Sequence, residues 1–286
     1  MSSPRIIYSL SAYPLVNNRW FQGNKLRETI YMTALSILYS HLWYDDIELY
    51  VDETAYSLLH MLPCRVTKIA VEKDKDLWMK SKIHAIGRQR QPFVHLDTDV
   101  FLTKKMEFDF ERCLLERKEG GYQYHYKNQV AFFSKFASSL PHWNTNLGYS
   151  FSCGVIGFQD LALKDAFIQA YFEVEDIYIQ QREAYQPLRA IGYEPCIVIE
   201  QYNLACLLAH HKVRPDLVLQ GNNLSRQSKE AKKLGYNHLY GTTKYKEHIV
   251  QEVTQQLKSL FPYWYDAVTE ALAETALHHS QKNVAS

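Results

Sequence analysis

Pro92–Phe93–Val94–His95–Leu96–Asp97–Thr98–Asp99 is the stretch on which the fold turns. Residues 92–96 read as a buried strand, and two carboxylates follow at once. In parallel sheets, short apolar runs are strands covered on both faces, and ligands bind beyond their carboxyl ends. Upstream, the same grammar repeats. Residues 5–10 (Arg5–Ile6–Ile7–Tyr8–Ser9–Leu10) read as a first strand, 47–51 as a second and 65–71 as a third. Between them, 24–43 carries Leu26, Ile30, Ala34, Ile37, Leu38 and Leu42 at helical spacing, with Asn24 as its N-cap. Residues 54–62 form a short helix stopped by Pro63, and 76–90 a further helix. Strand–helix alternation of this kind predicts an α/β fold with a mostly parallel sheet flanked by helices. The loop after Leu10 and the acidic pair after Leu96 are then expected to meet in one crevice.

The second half is less regular. Residues 130–133 and 154–158 read as strands, and 161–181 is the longest helical pattern. Helices also fit 200–211, 225–234 (ending at Gly235, a good C-cap), 246–260 and 263–277. The polar end after His278 is expected to fray. With no internal repeat or low-complexity linker, the reading is one α/β domain over 1–245 and a helical extension over 246–286.

Composition excludes several function classes. A chain of 286 residues can bury a sizeable core. Its net charge of +1 gives no global field toward nucleic acid or anionic membrane, so a nucleic-acid partner is not expected. No apolar run is long enough to span a bilayer, and the first ten residues lack a signal pattern. The five cysteines (Cys64, Cys113, Cys153, Cys196, Cys206) are odd in number and form no CxxC, which fits reduced thiols and a cytoplasmic location. Aromatic residues reach 14%, with 21 Tyr, which suits either an aromatic core or stacking on bases and sugars.

The chemistry centres on Asp97 and Asp99. Residues two apart on a strand share a face, so both carboxylates can aim at one point. Their mutual repulsion is relieved by a divalent cation, and carboxylate oxygens with open water positions suit Mn²⁺ or Mg²⁺. Such a cation could neutralise a departing diphosphate. Farther on stands His238–Leu239–Tyr240–Gly241–Thr242–Thr243–Lys244. A neutral imidazole can complete an oxygen-rich metal site, glycine permits close backbone approach to a phosphate, and lysine supplies a point charge. Taken singly, each is an ordinary surface residue; together and in this order they form a diphosphate clamp.

With these segments in view, the chain resembles a GT-A glycosyltransferase, nearest to family 8, the glycogenin and galactosyltransferase-like retaining enzymes. The motifs occur in that family's order. They are Asp97–Thr98–Asp99, then Phe151–Ser152–Cys153–Gly154–Val155–Ile156, then Glu200–Gln201, then His238 to Lys244. The first and last are the specific ones, and the likeness spans most of residues 5–244. The resemblance implies a nucleotide-sugar donor, UDP by preference, and an acceptor it does not specify. Asp97 would touch the ribose and the metal, Asp99 the metal more directly, and His238 would be the third ligand to Mn²⁺ or Mg²⁺. Lys244 and Gly241 would face the donor phosphates. Lys82 would lie near the diphosphate, with Lys80 and Arg88 as rivals. Ser11, Ala12 and Tyr13 would seat the base. Glu200 and Gln201 would lie near the transferred sugar. The chain departs from the family in having Glu200 where Asp is usual, and Tyr245–Lys246 where Pro-Trp is usual. Donor and stereochemical outcome stay open on that account.

Other segments admit two readings each. Tyr122–Gln123–Tyr124–His125–Tyr126 is an edge strand or an acceptor-stacking surface, and Trp143 a loop anchor or part of the acceptor mouth. Phe261–Pro262–Tyr263–Trp264–Tyr265 is expected to dock on the domain, because the acidic Asp266, Glu270 and Glu274 disfavour a membrane. Cys153 has no local base, so it reads as a small buried thiol. Two rival functions stand beside sugar transfer. One is a haloacid-dehalogenase-type phosphatase with Asp97 as nucleophile, although those enzymes place the pair on the first strand and need a downstream acidic pair not found here. The other is a GT-A module that binds nucleotide-sugar or glycan without turnover.

Overall fold

A computed structural model describes residues 4–17, 22–120, 126–221 and 223–284. The fold is mixed α/β, with a central, mostly parallel seven-stranded sheet flanked by helices. The chain divides into two compact units. The first comprises Met1–Lys75, Asp97–Glu107 and Ala231–Ser286; the second comprises Asp76–Leu96 and Phe108–Glu230.

In the first unit, β1 (Arg5–Leu10) pairs parallel with β2 (Ile47–Val51), and β2 pairs parallel with β3 (Arg65–Lys68). Ile6, Ile7 and Tyr8 are fully buried. The Leu26–His41 helix is buried along thirteen of its sixteen residues, as expected of a helix covered on more than one side. Its polar members are satisfied: Thr33 donates to the Thr29 carbonyl at 2.8 Å, and Ser40 Oγ lies 2.6 Å from the Tyr8 hydroxyl. The helix also pins β5 (Val100–Leu102). Ser36 Oγ donates to the Val100 carbonyl, and Trp43 Nε1 donates to that of Leu102 at 2.9 Å. A small antiparallel sheet then forms between β5 and β9 (Tyr236–His238), in the register Val100 to His238.

The C-terminal helices Glu247–Leu260 and Pro262–Val284 cover the same long helix. Tyr39 donates to Gln256 Oε1 at 3.1 Å and meets the Phe261 ring edge-on at 5.9 Å. The Tyr31 hydroxyl lies 3.1 Å from Thr269 Oγ1, and its ring sits 5.8 Å from that of Tyr265. Phe261 and Tyr265 thus dock on the unit, while Tyr263 is exposed.

In the second unit, β7 (Ser150–Phe158) runs antiparallel to both β4 (Phe93–Leu96) and β6 (Cys113–Glu119), and β6 pairs parallel with β8 (Asp216–Leu219). Gly157 admits close packing here: a Cβ at that position would lie 2.8 Å from Phe110 Cζ. The Leu161–Gln180 helix is capped by Asp160, which accepts from the Leu163 N–H at 3.0 Å.

Several sequence expectations need correction. Residues 130–133 are not a strand but lie in the Lys127–Phe133 helix, which buries Gln129, Val130, Phe132 and Phe133. A four-residue apolar run does not separate the two states. The strand expected over 154–158 begins at Ser150, and β5, β6, β8 and β9 are not among the strands expected from the sequence. The third strand stops at Lys68, the helix after it is only Lys80–Gly87, and the helix after β2 is Glu53–Leu59. Asn24 accepts from the Leu26 N–H at 2.9 Å, one position before a standard cap. Tyr122, Gln123, Tyr124 and His125 lie outside the described residues.

Candidate functional site

Asp97 and Asp99 follow β4 in a turn rather than a strand, closed by a hydrogen bond from the Val100 N–H to the Asp97 carbonyl at 3.0 Å. The turn brings the carboxylates to one side by a different route from the strand pleat. The chain then enters β5, and β9 comes in beside it. The Leu239 N–H donates to the Asp99 carbonyl at 3.0 Å, which sets His238 next to Asp99. His238 Nε2 lies 3.4 Å from Asp99 Oδ1. Asp97, Asp99 and His238 each offer one ligand atom, all within 4.8 Å of one another. Among the described residues this is the one trio of acidic, histidine or cysteine side chains so placed. Two oxygens and an imidazole nitrogen are a donor set that fits Mn²⁺ or Mg²⁺.

Lys244 completes the cluster. It lies on the Gly241–Tyr245 turn, and its Nζ forms an ion pair with Asp99. Burial by itself would raise the Asp99 pKa; the Lys244 charge and the His238 contact outweigh it and hold the carboxyl well below the usual range. Gly241 has φ +69°, a left-handed conformation in which glycine carries no strain. Tyr240 is exposed and meets the His238 ring edge-on at 5.4 Å.

In the same unit, Ser11 and Ala12 leave β1, and Tyr13 opens a single helical turn, Tyr13–Val16. Ser11 Oγ and the Ala12 N–H both donate to Asp52 Oδ2, at 2.8 and 2.7 Å. Asp52 Oδ1 accepts from the Ala55 N–H at 2.9 Å, capping the Glu53–Leu59 helix. Sequence reasoning passed over Asp52. The signal was an Asp directly before a helical pattern, which marks a cap but does not name the second partner.

The remaining expected residues belong to the second unit. Lys82 is 3% exposed, pairs with Glu200 at 2.9 Å and donates to the Cys153 carbonyl at 2.5 Å. Glu200 is fully buried on a π-helical turn, Val198–Tyr202, a type of irregularity frequent at functional positions. Gln201 accepts from the Tyr126 hydroxyl at 2.8 Å, and burial pushes that phenol's pKa up. Lys80 is likewise buried and paired with a buried glutamate, Glu175, at 3.0 Å, whereas Arg88 is exposed. Trp143 is a loop anchor: its Nε1 donates to Ser134 Oγ at 3.0 Å and its ring meets Phe133 and Tyr202. Cys153 is buried, with its thiol 3.6 Å from the Phe151 carbonyl.

Residues 19–271 match the profile of DUF6734, a family of unknown function. The chain belongs to that family. No curated protein matches the sequence. Among solved structures, this DUF6734 chain is similar to the WbbM bifunctional glycosyltransferase in its apo form. That match has 9% identity and a TM-score of 0.49, and covers 94% of this chain and 52% of that one. It is also similar to the glycosyltransferase GlyE of Streptococcus pneumoniae TIGR4, with 10% identity and a TM-score of 0.46, covering 96% of this chain and 65% of that one. A third is the galactosyltransferase LgtC in complex with donor and acceptor sugar analogues, with 9% identity and a TM-score of 0.40, covering 92% and 99%. The DUF6734 chain thus spans about half the length of the first and under two thirds of the second. No helix among its described residues is long and apolar enough to cross a membrane.

Proposed function

We propose that this chain is a glycosyltransferase that takes a nucleotide-sugar donor, a UDP-sugar by preference, and transfers the sugar to an acceptor with retention at the anomeric carbon. The observation that carries the proposal is the meeting of Asp97, Asp99 and His238 within 4.8 Å. These residues come from two distant segments, and the pairing of β5 with β9 sets them side by side.

In this reading Asp97, Asp99 and His238 hold Mn²⁺ or Mg²⁺. When bound, the cation supplies positive charge that neutralises the diphosphate as it leaves the sugar. Lys244 adds a second positive charge for a phosphate oxygen, and Gly241 lets the backbone approach it. Ser11 and Ala12, steadied by Asp52, receive the base together with Tyr13. Glu200 is given no nucleophilic role, because its carboxylate is buried against the Lys82 ammonium.

A thermal-shift panel of nucleotide diphosphates with and without Mn²⁺ tests the reading, since a ligand that binds the folded state raises its stability. The expected result is a Mn²⁺-dependent rise in Tm with UDP, abolished by Asp99→Ala. Absence of a shift with every nucleotide would end the proposal. Turnover of a generic phosphomonoester, lost on Asp97→Asn, would replace it with a phosphatase.

A further inference from the structure

Asp99 lies between a lysine ammonium and an imidazole. It is 6% exposed, so water screens it little. Its carboxylate is ion-paired with Lys244 and faces His238, and it shares the ligand-atom cluster with Asp97. A carboxylate this deep needs a partner of opposite charge, and Lys244 provides it. The lysine hangs on a flexible stem from the Gly241–Tyr245 turn, which buries none of its residues. A Cβ added at Gly241 would meet no atom within 4 Å, and Thr242 and Thr243 beside it are exposed.

We propose that Lys244 is a tethered counter-ion to Asp99, displaced when a divalent cation binds, and that this exchange orders the site: cation first, diphosphate second. The proposal rests on the metal-site reading given above. A doubly charged ion on Asp97, Asp99 and His238 satisfies the buried carboxylate and repels the ammonium beside it. The ammonium then loses one anionic partner as a diphosphate oxygen becomes available as the next. Before the cation arrives, a diphosphate has to win Lys244 from Asp99 and also faces two carboxylates. Metal and diphosphate therefore bind with positive coupling carried by one side chain.

Two binding measurements on the full chain, without turnover, test this. The first follows the electron paramagnetic resonance of free Mn²⁺ during titration. Lys244→Met removes the competitor and is expected to tighten Mn²⁺ binding by about tenfold, roughly the worth of one partly buried unit charge. Lys244→Arg keeps the counter-ion and stays near wild type. The second measures pyrophosphate binding by calorimetry in metal-free buffer. Asp99→Asn frees Lys244 and is expected to tighten pyrophosphate binding about fivefold, by loss of one ion pair. The double variant Asp99→Asn/Lys244→Met loses that gain. If the gain persists in the double variant, it comes from lost repulsion and the exchange is refuted. If wild type binds Mn²⁺ and Lys244→Met does not bind it more tightly, the exchange falls and the metal site stands. If wild type takes up no Mn²⁺, the metal site itself falls. Circular dichroism of each variant confirms folding, and Lys244→Gln serves where Lys244→Met fails to fold.

Discussion

Asp160 does two things with one carboxylate. Its Oδ1 caps the Leu161–Gln180 helix, and its Oδ2 accepts from Arg112 Nε and Nη2 at 3.0 and 2.6 Å. The hydrogen bond from the Leu163 N–H, followed by that from Arg112, holds its pKa below the ordinary carboxylate range. A carboxyl depressed in the folded state stabilises fully above its unfolded pKa of about 3.9, and that contribution fades as pH falls through the folded value. Asp160→Asn keeps a cap acceptor but loses the charge. It is expected to cost about 0.5–1 kcal/mol at pH 7 and less at pH 2. Urea midpoints at the two pH values check this. At the same scale, Asp97, Asp99, His238 and Lys244 were readable in the sequence because their residue types and order carry chemistry. Asp52 was not, because its second partners stand 40 and 41 residues away.

Gly235 decides whether two elements can meet. It ends the Leu224–Leu234 helix with φ +69° and leads into β9. A Cβ there would lie 2.6 Å from Lys104 Cγ and 2.9 Å from the Lys104 backbone nitrogen. Its carbonyl accepts from Thr103 N–H and Oγ1, at 2.8 and 3.0 Å, at the end of β5. Gly235→Ala therefore combines a left-handed alanine with a backbone clash, and is expected to destabilise by about 2 kcal/mol or more. Because β9 carries His238, the variant is also expected to weaken Mn²⁺ binding, read by the same resonance titration. The helix end was legible from the glycine, whereas β5 and β9, of three residues each, carry too little periodicity to be seen. They exist because the Leu26–His41 helix holds β5 and an antiparallel ladder pairs β9 with it.

Across the whole molecule, the C-terminal helices belong to the first unit. Val253, Leu257 and Val268 are buried there, and the helices cover Tyr31 and Tyr39. A chain ending at Lys246 would expose that apolar face, and is expected to be insoluble or to bind a hydrophobic dye strongly. A soluble truncated chain with an unchanged Tm would show the helices to be dispensable. The sequence by itself determined the strand–helix alternation, the buried β1 and β4, the acidic pair and the histidine-to-lysine segment, because periodicity and residue chemistry are local properties. Tertiary structure alone decided that β7 runs against its neighbours, that 130–133 coils into a helix, and that Lys244 finds Asp99 across 145 residues. Direction of pairing and distant contact depend on which surfaces bury each other, and no local window of sequence contains both surfaces.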